Sequence, residues 1–149
     1  MSEEEVKSRV EQAIGITIER DRVLFENDAA ERTITAKLAC YIQELFPDWD
    51  VDCEYNRHFD GVKRLKDICN SSGNGEGNAV YPDIIIHRRM TDENLVVIEV
   101  KKTTNNSTDD CDLIKLDAFK QELGYKHGLF VRFKAGSGKC GIQNLEWKY

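Results

Sequence analysis

Three ionisable side chains, Asp83, Glu99 and Lys101, stand in an otherwise apolar stretch, YPDIIIHRRMTDENLVVIEVKK over residues 81–102. Runs rich in branched residues at 83–87 and 95–100, separated by the polar turn RMTDEN, predict an antiparallel hairpin. Side chains alternate faces along a strand, so Glu99 and Lys101 point one way while Ile98 and Val100 point the other. With a turn near 91–93, Asp83 falls across from the end of the second strand, close to Lys101 and diagonal to Glu99. Two carboxylates and an ammonium then converge at one edge of an apolar sheet. Buried charges are costly without partners, so mutual pairing, water or a cation must satisfy this cluster. Hard oxygen ligands with room for waters suit Mg²⁺. The competing reading is a salt-bridged cluster at a sheet end.

The elements that must position these residues follow from periodicity. Residues 2–14 carry acids in the first turn and apolar residues at Val6, Val10, Ala13 and Ile14, which predicts an amphipathic helix stopped by Gly15. An extended ITIERDRVLF comes next, and Asn27-Asp28 can cap a second helix through AAERTITAKLACYIQELF, ended by Pro47. Residues 51–57 alternate as a strand, and KDICNSSGNGEGNAV has the glycine, asparagine and serine content of a loop. Beyond the hairpin, STDDCDLIKLDAFKQEL reads as a helix with Asp109, Asp110 and Asp112 where caps belong. GLFVRFK is the last main strand, and GIQNLEWKY could add one more. The expected fold is α/β, a central mixed sheet of about four to five strands flanked by helices. One domain over 1–149 is expected, with an N-terminal helical cap at 1–26, a core at 28–134 and a flexible loop at 58–79.

Composition limits the function classes. No apolar run approaches the roughly 20 residues that cross a bilayer, and the N-terminus MSEEEVKSRV is acidic where a secretory signal is basic. A soluble, cytoplasmic protein without a membrane partner is expected. Five scattered cysteines (Cys40, Cys53, Cys69, Cys111, Cys140) without a CxxC pair read as reduced thiols. The net charge of -6 comes from residues 1–50, where 12 acids face 6 bases; the remaining 15 acids and 15 bases balance. Basic residues cluster at Arg57-His58, around Lys63 to Lys66, at His87 to Arg89 and at Lys101-Lys102, so charge alone neither requires nor excludes a polyanion. His58, His87 and His127 lack the spacing of a ligand pair or triad, no GxSxG occurs, and residues 70–78 lack the Lys-Ser/Thr ending of a phosphate-binding loop.

Pro82-Asp83, followed sixteen residues later by Glu99-Val100-Lys101, resembles the PD-(D/E)XK nuclease superfamily, whose signature is an acid at the start of one strand and E-x-K on the next. The resemblance runs from the helix at residue 28 to the strand at residue 134, and it implies a restriction-endonuclease-like core with an extra N-terminal helix. It implies a Mg²⁺- or Mn²⁺-dependent phosphodiesterase acting on nucleic acid, DNA rather than RNA by family habit. Asp83, Glu99, the Val100 carbonyl and Glu31 through water would hold the metal. Lys101 would orient or deprotonate the attacking water. Glu31 is preferred over Glu44, at the far end of the same helix, as the further glutamate. Gln121 and Tyr125 resemble the Q-x-x-x-Y element of the RecB-like and Cas4-like branch, and Arg57, Lys63, Lys102 and Lys115 are candidates for holding phosphates. Members of the superfamily commonly dimerise or join a partner, and a homodimer would gather the scattered bases into one groove. The alternative is a catalytically inactive nuclease-like fold that serves as a binding or assembly module.

Overall fold

The computed structural model describes residues 1–55 and 81–148, with the backbone of four two-residue strands between them. Lys63, Cys69, the side chain of Arg57 and most of the 58–79 segment expected to form a loop lie outside the described residues.

Helix α1 (Glu3–Arg20) opens on a capping box: the Ser2 hydroxyl accepts from the Glu5 N–H and the Glu5 carboxylate accepts from the Ser2 N–H. It does not stop at Gly15 as expected. The cost of a mid-helix glycine, about 1 kcal/mol, is offset because the next turn buries Ile14 and Thr17 in the core. The expected extended RVLF instead forms the short helix α2 (Arg22–Glu26). Helix α3 (Glu31–Leu45) buries Ile34, Leu38 and Ile42 and has Ala30 at its N-cap position, so Asn27 and Asp28 do not cap it. Asn27 bonds back to the Val23 carbonyl, and Asp28, at φ 55°, turns toward the sheet.

Strands β1 (Asp50–Cys53), β6 (Ile84–His87), β7 (Asn94–Lys102), β8 (His127–Phe133) and β9 (Ile142–Lys148) form one mixed sheet in that spatial order. Between β1 and β6 lie two minimal antiparallel pairs, β2 (Arg57–His58) with β3 (Gly61–Val62) and β4 (Arg64–Leu65) with β5 (Asn78–Ala79). The chain is therefore α/β, with a five-stranded mixed sheet between helices. Strands β7 and β8 are parallel, joined over one face by α4 (Asp110–Leu123); the other contacts are antiparallel.

The alternation read from the sequence holds in β7. Val96, Ile98 and Val100 pack on the α1/α3 face with Ile84, Ile86, Leu129 and Val131, while Val97 joins Ile85, Phe130, Leu116 and Phe119 under α4. Glu99 and Lys101 follow Val97 on that second face. At the far end of β6, buried His87 meets Asp52 at 2.7 Å and Arg89 grips the same carboxylate at 2.6 Å. Burial would raise Asp52, but those hydrogen bonds outweigh it and hold its carboxyl well below the usual range. The basic cluster at 87–89 is thus consumed internally, with Arg88 stacked 4.1 Å from the Trp49 ring centroid.

Gly124 ends α4 in the left-handed region at φ 72°. A Cβ there meets no atom within 4 Å, so Gly124→Ala isolates the backbone penalty. It is expected to lower unfolding stability by about 1 to 2 kcal/mol, read from denaturant midpoints at unchanged slope. No helix among the described residues is long and apolar enough to cross a membrane. Cys111 is disulfide-bonded, which corrects the expectation of reduced thiols throughout; Cys40, Cys53 and Cys140 are free.

Candidate functional site

The site arises because β7 outruns β6. Their ladder ends at Ile84 opposite Ile98, which leaves the last residues of β7 with no backbone partner on that side. Side chains take over the orphan donors. The Val100 N–H donates to Asp83 Oδ2 at 2.7 Å, and the Lys102 N–H donates to Glu31 Oε2 at 3.1 Å. A strand residue's N–H and C=O point to the same edge, so the Val100 carbonyl opens into the gap between these two carboxylates.

This register corrects one expectation. The turn centres nearer residues 90–91 than 91–93, so Asp83, one residue beyond the Ile84–Ile98 pair, lies level with Glu99 rather than with Lys101. Lys101 is 6% exposed, and its ammonium donates to the Thr108 carbonyl at 3.0 Å and is ion-paired with Asp112. Glu99 is paired instead by Lys115, whose Nζ lies 3.1 Å from Oε1. The first turns of α4 cross over the end of β7, and Asp112 and Lys115, three apart on one helix face, interlock with Lys101 and Glu99, two apart on the strand.

A cleft of about 340 Å³ opens here, and Asp83, Glu99, Val100, Lys101, Asp112 and Lys115 line it together with Glu31. Four carboxyl groups face two ammonium groups. Glu99 is 2% exposed. Although Lys115 is at ion-pair distance, no donor addresses Glu99 Oε1 with hydrogen-bond geometry, and Asp112 Oδ2 is in the same position beside Lys101. The two ion pairs compensate charge within the cleft.

The electrostatics agree. Burial, and then the charge of Asp83, push the Glu99 carboxyl well above the ordinary value. Asp83 is also raised by burial, opposed by the hydrogen bonds it accepts from Glu99 and from the Val100 N–H. Burial works to lower the Lys115 ammonium, but the charge of Glu99 outweighs it and the net shift is upward. Two adjacent carboxyls that resist joint ionisation are poised for a cation or a shared proton.

No group of three or more His, Cys, Asp or Glu side chains among the described residues is gathered to hold a metal unaided. The oxygens that fit a divalent cation are those of Asp83 and Glu99 and the Val100 carbonyl, with Glu31 at the rim. Such an incomplete oxygen set suits Mg²⁺, which keeps several waters.

The remaining candidates are dispersed. Lys102 donates to Asp28 at 2.9 Å and to the Ala29 carbonyl at 2.8 Å, so it braces the turn before α3 instead of facing solvent. Tyr125 is buried edge-on against Phe119, and Gln121 is exposed. Gln121 lies nine residues beyond Asp112, roughly 14 Å along α4. Glu54 faces a neighbouring hollow with Glu31 and Asp83 and pairs with Arg32 at 3.2 Å.

Two participants were missed. Asp112 was read as an acid at the start of a helix, yet it holds Lys101. Arg132 spans the 102–109 loop, donating to the carbonyls of Lys102, Asn105 and Ser107 and pairing with Asp109. Its signal was present: in GLFVRFK it is a charge within an apolar strand, in register with Lys101.

No protein family, curated protein or solved structure that was compared with the chain matches it.

Proposed function

We propose that the protein is a Mg²⁺- or Mn²⁺-dependent nuclease that hydrolyses phosphodiester bonds of nucleic acid, DNA in preference to RNA, with the PD-(D/E)XK pattern of Asp83, Glu99 and Lys101 as its active residues. The observation that carries the reading is the overrun end of β7. There Asp83 and Glu31 accept from backbone N–H groups on either side of the Val100 carbonyl, beside the buried Glu99 carboxyl and its ion pair with Lys115. The order of elements around the sheet, α3 through β8, agrees with the core that the resemblance implies. The same reading sets the protein in the cytoplasm.

A bound Mg²⁺ or Mn²⁺ would polarise the scissile phosphate and acidify an attacking water. Asp83 is fixed for its part by the Val100 N–H, so its second oxygen is presented without rotamer search. Glu99 supplies an acceptor in a site nearly closed to solvent. Lys115 limits the repulsion between the two acids. Lys101 reaches its place through Asp112 and Thr108, and its point-like ammonium can neutralise charge that develops on the phosphate or hold the water's proton network.

One observation favours the alternative, a nuclease-like fold that binds without cutting: the Lys101 ammonium is engaged by Asp112 and the Thr108 carbonyl. Cleavage of labelled single-stranded, duplex and branched DNA and RNA in Mn²⁺ or Mg²⁺ separates the two. Cutting that is lost with EDTA and in Asp83→Asn is expected. Binding without cutting on every substrate would establish the alternative, and cutting that persists in Asp83→Asn would place the chemistry elsewhere.

A further inference from the structure

The proposed nuclease site is acidic, whereas its substrate is a polyanion. The basic clusters seen in the sequence do not resolve this within the described residues: 87–89 are spent on Asp52, Trp49 and Glu93, and Lys101 and Lys102 on Asp112 and Asp28. A different cationic surface stands close by. At the C-terminal ends of the parallel strands β7 and β8, a hollow of about 520 Å³ is lined by Arg22, Thr103, Lys134, Lys139, Cys140 and Gln143, with no carboxylate among the described lining residues.

A depression that borders the acidic cleft reaches the chain neighbour of a residue lining the hollow. A shallow depression of about 370 Å³ shares Glu31 and Asn105 with the cleft and includes Asp28 and Thr104. Thr104 is the chain neighbour of Thr103 in the cationic hollow. Gly136 closes the join: a Cβ on it would lie 3.0 Å from Thr104 and 3.8 Å from Asp28. Its N–H donates to the Phe25 carbonyl and that of Gly138 to the Glu26 carbonyl, which fixes the loop carrying Lys134 and Lys139 against α2. Lys134 and Lys139 are exposed. Arg22 shares its charge with Glu26 at 3.1 Å, so the two lysines carry most of the field.

Resting on the nuclease reading, we infer that the cationic hollow formed by Arg22, Lys134 and Lys139 holds the phosphodiester backbone of the substrate strand on one side of the scissile bond. The strand leaves the acidic cleft across the step of Asp28 and Thr104 and reaches the lysines a few nucleotides away. The contacts are to phosphate and read no sequence. A single strand is the substrate form inferred, since its backbone can be tracked by such cationic side chains without base readout.

The test compares the intact protein with K134Q/K139Q and with the control Lys126→Gln, an exposed lysine at the opposite end of β8. Binding of a fluorescent single-stranded oligonucleotide is measured by anisotropy in EDTA across a salt series, and cleavage is followed separately in Mn²⁺. The expected result is a roughly tenfold loss of affinity and a salt slope shallower by about 1.4 in the double variant only, since two phosphate contacts at about 0.7 each are removed. In cleavage, KM rises while kcat holds. Oligonucleotides extended on one side of the cut gain affinity with the intact protein and not with the double variant. Equal binding and equal KM in all three proteins would overturn the track while cleavage stands. Lysine-dependent binding without any cleavage would support the track and sink the enzyme. Failure of the intact protein to bind any oligonucleotide would overturn the track, and with no cleavage in Mn²⁺ either it would overturn both.

Discussion

Glu99→Gln is expected to abolish metal-dependent cleavage and, at the same time, to raise the thermal stability of the metal-free protein at neutral pH. A substitution that merely damages the fold does the reverse. Glu99 is buried beside Asp83, and both burial and that neighbour raise its carboxyl well above 4.5. An acid whose folded pKa is raised contributes stability below its unfolded value of about 4.5 and loses it as pH rises through the folded value. The metal-free protein should therefore lose stability with increasing pH above about 4.5, and the amide should lack that slope. Lys115 keeps Asp83 and Asp112 as neighbours after the change, so the variant does not strand its charge. Divalent metal reverses the ranking, because it stabilises only the carboxylate form. Melting at pH 5 and pH 8, with and without Mn²⁺, reads all four corners. A lower melting temperature of Glu99→Gln under every condition would mean that the ion pair with Lys115 is a structural strut.

Lys101→Ala should lower kcat by about 10²- to 10⁴-fold, the range for a positioned proton-transfer or charge-stabilising group, while Mn²⁺ affinity changes little. The ammonium is tied to Asp112 and Thr108 and not to Asp83 or Glu99, so its removal leaves the proposed metal donors in place. Asp112→Asn should fall between: Lys101 keeps the Thr108 carbonyl but loses its counter-charge. Metal affinity and single-turnover rates measured side by side distinguish these roles. If Lys101→Ala cuts at the original rate and Lys115→Ala does not, the working ammonium is the one from α4.

The sheet and half of the site were legible in the sequence because both rest on short runs of branched apolar residues. IIIH and LVVIEV read as buried strands, and an acid and a base inside such runs marked an edge where charge must be satisfied. The rest depends on contacts that no local pattern encodes. Lys115 and Asp112 look like any lysine and aspartate of an exposed helix until α4 crosses β7 and brings both over Lys101 and Glu99. The resemblance pointed to Glu31 as the further glutamate, but no local pattern shows that it accepts the Lys102 N–H that β6 leaves unpaired. Asp28 had the type of a helix cap but is drawn away by Lys102 and Thr104. Gly15 failed as a stop signal because tertiary burial on both sides outweighs its propensity.

The most direct measurement is Mn²⁺ binding, by electron paramagnetic resonance or calorimetry, to the original protein and to Asp83→Asn, with no nucleic acid present. The account predicts saturable binding by the original protein that weakens as pH falls, because bound protons compete at Asp83 and Glu99, and its loss in the variant. Equal binding in the two proteins, or none in the original at millimolar Mn²⁺, would contradict the claim that these carboxylates converge to hold a divalent cation.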